Sequence, residues 1–137
     1  MRFENDKDLK RELKAITTFV KSFNGDFKKL DPNDIDYKIY NNKKHIAYAE
    51  VKGRLRSIKD AYPLPVAARK LVKLADKRLN PVMIWSCNDG IIYCHVKNMR
   101  GLVTWGGRKI REHSYNDQEL MVYFNKKDSP FKTIYFP

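Results

Sequence analysis

The chain has 137 residues, 42% of them apolar and 12% aromatic, which suits one globular domain around a single core and excludes a disordered chain. Twenty-eight Lys and Arg against sixteen Asp and Glu give a net charge of +12 and a pI near 9.7, the balance expected of a polyanion binder. No run approaches the roughly 20 apolar residues of a membrane helix, and Met1-Arg-Phe-Glu-Asn-Asp-Lys-Asp8 has no apolar signal core, so a soluble cytoplasmic protein without membrane contact is expected.

In chain order, residues 7–22 place Leu9, Leu13, Ile16 and Val20 on one helical stripe ended by Asn24-Gly25, with Glu12 on the edge of that stripe. Residues 26–30 suit a short strand, and Asp31-Pro-Asn a turn. Two strands follow, Asp34-Ile-Asp-Tyr-Lys-Ile-Tyr40 and His45-Ile-Ala-Tyr-Ala-Glu-Val-Lys-Gly-Arg54, joined by a polar turn. Strand side chains alternate, so Asp34 and Asp36 share one face, and Ile35, Tyr37 and Ile39 the other; Glu50 and Lys52 likewise project together. Asp36 faces Glu50 only if the turn has an odd length or a bulge shifts the register, because a two- or four-residue loop would set Ala49 against it.

This hairpin carries the chemistry. Two carboxylates can hold a hard divalent cation, and a lysine beside them can share one phosphate with it, which is what phosphodiester hydrolysis requires. Glu-x-Lys is a weak pattern by itself and recurs as Glu12-Leu-Lys14 in the helical segment. The copy at Glu50 differs in its surroundings, Ile46, Ala47, Tyr48, Ala49 and Val51, among which a charge is seldom placed unless paired or ligating.

Gly53-Arg-Leu-Arg-Ser-Ile-Lys59 is a basic connection in which Arg54 and Arg56 could follow a phosphate backbone. Pro63 and Pro65 suit the first turn of a helix whose inner stripe is Ala68, Leu71, Val72, Ala75 and Leu79, and whose outer face includes Lys70 and Lys73. Val82-Met-Ile-Trp-Ser-Cys87 reads as a strand covered on both faces, Asn88-Asp-Gly90 as a hairpin turn, and Ile91-Ile-Tyr-Cys-His-Val96 as the returning strand. Strand, helix, strand from Ala47 to Cys87 implies a crossover and a parallel pair, hence a mixed sheet flanked by helices. Trp105-Gly-Gly-Arg-Lys-Ile-Arg111 could hold a phosphate backbone through Arg108 and Arg111, or be a plain hairpin turn; residues 120–124 and 133–136 look like closing strands. Cys87 and Cys94 read as packed, reduced thiols, and His45, His95 and His113 lack zinc-ligand spacing.

The order helix, short strand, strand with Asp36, strand with Glu50-Val51-Lys52, helix, buried strand resembles the core of the PD-(D/E)XK nuclease superfamily, in its small stand-alone, resolvase-like or phage-type members. The resemblance covers about residues 7–87. The proline that names the motif is not next to Asp36, Pro32 lying four residues earlier, and this leaves Asp34 and Asp36 both open, with Asp36 favoured as nearer to Glu50 across the turn. The resemblance implies an α/β fold with an αβββαβ core within one domain (1–137), its core at about 7–87 and a strand extension at about 91–137. It implies that Asp36, Glu50 and the Val51 carbonyl ligate Mg²⁺ or Mn²⁺, that Lys52 positions or deprotonates the attacking water, and that Glu12 is the first-helix carboxylate. The expected activity is a DNA endonuclease with structure-directed or weak sequence preference, for which a homodimer would be natural because two strands must be cut; the alternative is a non-catalytic nucleic-acid-binding or adaptor module on the same fold, and RNA as substrate is not distinguished.

Overall fold

The computed structural model describes residues 6–31, 35–107 and 118–137. Helix α1 (Asp6–Lys21) is followed by strands β1 (Asp26–Lys29), β2 (Tyr37–Asn41) and β3 (Lys44–Gly53). After a 3-10 turn at Ile58–Asp60 come β4 (Leu64–Ala67), α2 (Ala68–Ala75), β5 (Pro81–Ser86) and β6 (Gly90–His95), then β7 (Leu102–Gly107), β8 (Gln118–Phe124) and β9 (Lys132–Tyr135). This is an α/β architecture with, among the described residues, two sheets: a mixed sheet ordered β1-β2-β3-β5-β6-β9, and a smaller one ordered β4-β8-β7. Strands β3 and β5 run parallel, as the intervening helix requires, and the other pairings among the described residues are antiparallel.

The large sheet is covered on both faces. Between α1 and the sheet, Ala15, Ile16 and Phe19 of the helix pack on Tyr37, Ile39, Ala47, Ala49, Val82, Ile84 and Ile91. The other face holds Ile35, Leu64, Val66, Leu74, Met83, Trp85, Ile92, Val122 and Phe124, so α2 and the small sheet cap it together. Trp85 anchors this second layer: its ring meets Phe124 and Phe131 edge-on at 5.9 Å each, and its indole N–H donates to the Pro65 carbonyl at 2.9 Å. Strand β5 is buried from Val82 to Ser86 because β3 and β6 flank it and both layers cover it. Strand β9 closes tightly on β6, where a Cβ at Gly90 would collide with the Ile134 carbonyl. Cys87 and Cys94 are free and buried.

Three readings change. Helix α1 is rotated from the expected stripe: Glu12, Ala15, Ile16, Phe19 and Val20 face inward, while Leu9 and Leu13 are 39% and 52% exposed. The large Phe19 ring, edge-on to Tyr93 at 5.1 Å, decides which side is buried. Pro65 does not open a helix but lies in β4, at the edge of the small sheet, where a residue without an N–H is tolerated. Helix α2 is therefore only 8 residues long; Leu74 is buried, and Val72 is 66% exposed instead of packed. Finally, Ile35 joins the α2-side cluster while Tyr37 and Ile39 join the α1-side cluster, because the chain bends at Asp36 before β2 begins. Among the described residues, no helix is long and apolar enough to cross a membrane.

Candidate active site

The β2–β3 turn is the two residues Asn42 and Lys43, both with positive φ (50° and 64°), the geometry of a tight hairpin. By itself it would set Ala49 against Asp36. A register shift between Ile39 and Tyr40 corrects this: Tyr40 pairs with His45, but Tyr37 pairs with Ala49, which brings Asp36 against Glu50.

At that point the backbone ladder stops and side chains continue it. The Asp36 N–H donates to Glu50 Oε2 at 3.1 Å, and the Val51 N–H donates to Asp36 Oδ2 at 2.9 Å. The Glu50 carboxylate is thus held by the Asp36 backbone, and the Asp36 carboxylate by the backbone of Val51, the residue after Glu50. A strand residue sends its N–H and C=O to the same side, so the Val51 carbonyl is directed toward the edge where its N–H meets Asp36. Lys52, two residues beyond Glu50 in β3, shares its face and is half-buried.

Glu50 is buried, and its Oε1 accepts a hydrogen bond from the Lys70 ammonium of α2 at 3.4 Å. Glu12 is buried on the α1 side, where its Oε1 accepts from Lys29 Nζ and, at 2.8 Å, from the Tyr37 hydroxyl. The Lys29 ammonium also lies 5.1 Å from the Tyr37 ring centroid. Burial, and then the Glu50 and Glu12 carboxylates, push the Asp36 pKa up to about 7 against the opposing pull of the Val51 N–H and Lys29. Burial also raises Glu50, opposed chiefly by Lys70. The site is therefore short of positive charge.

That shortage is the test of fit for a divalent ion. Asp36 and Glu50 offer hard oxygen donors that are unfavourable as bare anions, and a third oxygen is available at Val51, so the set suits Mg²⁺ or Mn²⁺. Glu12 stands outside that set: its carboxylate is held by Lys29 and Tyr37, and no cluster of three or more His, Cys, Asp or Glu side chains among the described residues is close enough to chelate a metal.

The remaining candidates are spread around this centre. Arg54 is spent on its own loop, its Nε donating to the Ala61 carbonyl at 2.9 Å, and burial and Arg56 lower its pKa. Arg56 and Lys73 are exposed. Lys70, expected on an outward nucleic-acid face, is exposed, and its ammonium also reaches the acidic pair at Glu50. Asp34, Arg108 and Arg111 lie outside the described residues. Sequence reading missed Lys29 and Tyr37; the one available signal was alternation, which set Tyr37 on the face opposite Asp36, and that face packs under α1.

A family model described as "phage putative PDDEXK endonuclease" matches residues 1–134. The chain belongs to that family. The match reaches well past residue 87 and takes in the C-terminal strands, of which β9 lies in the main sheet and β8 pairs with β4. No curated protein and no solved structure matches the chain.

Proposed function

We propose that this PDDEXK protein is a metal-dependent endonuclease that hydrolyses phosphodiester bonds of DNA with structure-directed or weak sequence preference. The observation that carries the reading is the Asp36–Glu50 pair: two carboxylates interlocked through backbone N–H groups, both disfavoured as anions, in a chain of net charge +12. Asp36, Glu50 and the Val51 carbonyl would hold Mg²⁺ or Mn²⁺, which when bound supplies charge to the scissile phosphate and acidifies a water.

The chain's own residues do the rest. Lys52, on the Glu50 face, orients the attacking water and takes or shares its proton. Attack in line with the leaving oxygen gives 5′-phosphate and 3′-hydroxyl ends. Glu12 acts through others, adding negative potential at Asp36 and fixing Lys29 and Tyr37 beside the centre. Lys70 neutralises Glu50, and would be free to turn toward the phosphate if a bound cation took over that carboxylate. Arg56, Lys73, Arg108 and Arg111 supply backbone contacts that carry no sequence information.

One observation favours a second reading. The Lys70–Glu50 ion pair is a built-in cation at the acidic site, which would let the fold keep its carboxylates as a metal-free binding module. Calorimetric titration of Mn²⁺ combined with cleavage assays separates the two. The nuclease reading expects heat for the wild type, none for Glu50→Ala, and loss of cutting with retained DNA binding in Lys52→Ala. A folded wild type that binds DNA, takes up no Mn²⁺ and cuts nothing supports the binding module.

A further inference from the structure

Leu13 reads as a core residue yet is 52% exposed. It forms the floor of a groove of about 600 Å³ between the outer flank of α1 and the last strand, with Ile134, Tyr135 and Pro137 opposite. Lys10, Lys14 and Lys21 line the same groove, and none of its lining residues is acidic. The three lysines recur at helical spacing over eleven residues, a row of roughly 16 Å at 1.5 Å per residue. The Lys14 ammonium lies 4.2 Å from the centroid of the Phe136 ring, which anchors it at the groove. Tyr135 is 62% exposed, an aromatic ring left open on an edge strand.

We infer that this α1–β9 groove binds an unpaired nucleic-acid strand, its phosphates along the lysine row and a base against Tyr135 and Leu13. The inference rests on the nucleic-acid reading above. Charge selects a polyanion, and the apolar floor selects one that can present a bare base face, which a stacked duplex does not. Glu12 leaves the same helix on the opposite flank, toward Lys29 and Tyr37 of β1 and β2. The groove lies beside β9, which β5 and β6 separate from β3, so roughly 14 Å of sheet at ~4.8 Å per strand parts it from the acidic pair; a strand held there flanks the cleaved bond and gives the enzyme a preference for substrates with a single-stranded arm.

The test is fluorescence anisotropy of labelled oligothymidylate and of a labelled duplex, in EDTA, with wild type, Tyr135→Ala and the double variant Lys10→Ala/Lys21→Ala. These side chains are exposed or at a groove rim, and thermal melts check folding. Tyr135→Ala is expected to weaken oligothymidylate roughly 5- to 150-fold, the loss of one stacked base at 1–3 kcal/mol. The double variant is expected to lower the slope of log K against log salt by about 1.4, at 0.7 per phosphate contact on a single strand. Duplex affinity should change little. Unaltered oligothymidylate affinity in both variants, or equal losses on single strand and duplex, would overturn the groove. Because EDTA suppresses cutting, the binding result is independent of the nuclease reading: strand binding at the groove by a protein that cuts no DNA with Mn²⁺ would refute that reading alone.

Discussion

Replacing Asp36 by Asn should stabilise the metal-free protein at neutral pH, although it removes a residue of the candidate active site. The folded chain holds the Asp36 pKa at about 7, against 3.8 for the unperturbed group, chiefly through burial and the Glu50 carboxylate. Its contribution is thus fully present below pH 3.8 and is lost as pH rises through 7, since ionisation is opposed only in the folded state. Three pKa units correspond to an upper limit of about 4 kcal/mol. Asp36 is half-buried rather than enclosed, and solvent screening reduces this to about 1–3 kcal/mol. Asn keeps a carbonyl oxygen to accept the Val51 N–H and carries no charge. At about 3–4 °C per kcal/mol for a chain of this length, Asp36→Asn should melt several degrees above wild type at pH 8 in EDTA, with the gap closing toward pH 4. Saturating Mn²⁺ should raise the wild-type melting temperature more than that of the variant. A wild type that melts above Asp36→Asn at pH 8 in EDTA would show that Asp36 is not under electrostatic strain, and the argument for a missing cation would fail.

Lys70→Met removes the cation that holds the Glu50 pKa down, so proton competition at Glu50 grows and Mn²⁺ affinity should fall more steeply between pH 8 and pH 6 than in wild type; calorimetry at both pH values reads this. The helix rotation is tested by a pair: Leu13→Ser should lie within about 0.5 kcal/mol of wild type, whereas Ile16→Ala should cost roughly 2–5 kcal/mol in urea unfolding; a comparable loss at both positions would restore the aliphatic stripe, which contains both, as the buried one. Trp85→Ala should cost about 3–5 kcal/mol, because it opens a cavity against Phe124 and Phe131 and leaves the Pro65 carbonyl without its donor. A loss under 1 kcal/mol would mean the small sheet does not depend on that ring.

The parts of this fold that sequence revealed are those set by local pattern. The parallel β3–β5 pair follows from a strand, a helix and an all-apolar strand in succession, and the β5–β6 hairpin from Asn88-Asp-Gly90. The closeness of Asp36 and Glu50 was legible only conditionally: alternation demanded a register shift, and the shift between Ile39 and Tyr40 provides it. Long-range partners were not legible. Glu12 turns inward because Lys29 and Tyr37, 17 and 25 residues away, receive it, and no periodicity within α1 encodes them. Strand β4 was hidden because two prolines before an apolar stripe look like a helix start, and what makes Leu64–Ala67 a strand is β8, more than fifty residues later. Val72 shows the same limit: a stripe drawn for a long helix misplaces residues when the helix is 8 residues long.

The central claim is that the interlocked carboxylates equip this PDDEXK protein for metal-dependent phosphodiester cleavage. The most direct measurement is incubation of wild type and Glu50→Ala with supercoiled, linear, single-stranded and four-way-junction DNA in Mn²⁺, Mg²⁺ or EDTA. The account predicts cutting by the wild type with a divalent ion, none in EDTA, and none by Glu50→Ala under any condition. Equal cutting by both proteins, or by the wild type in EDTA, would contradict it.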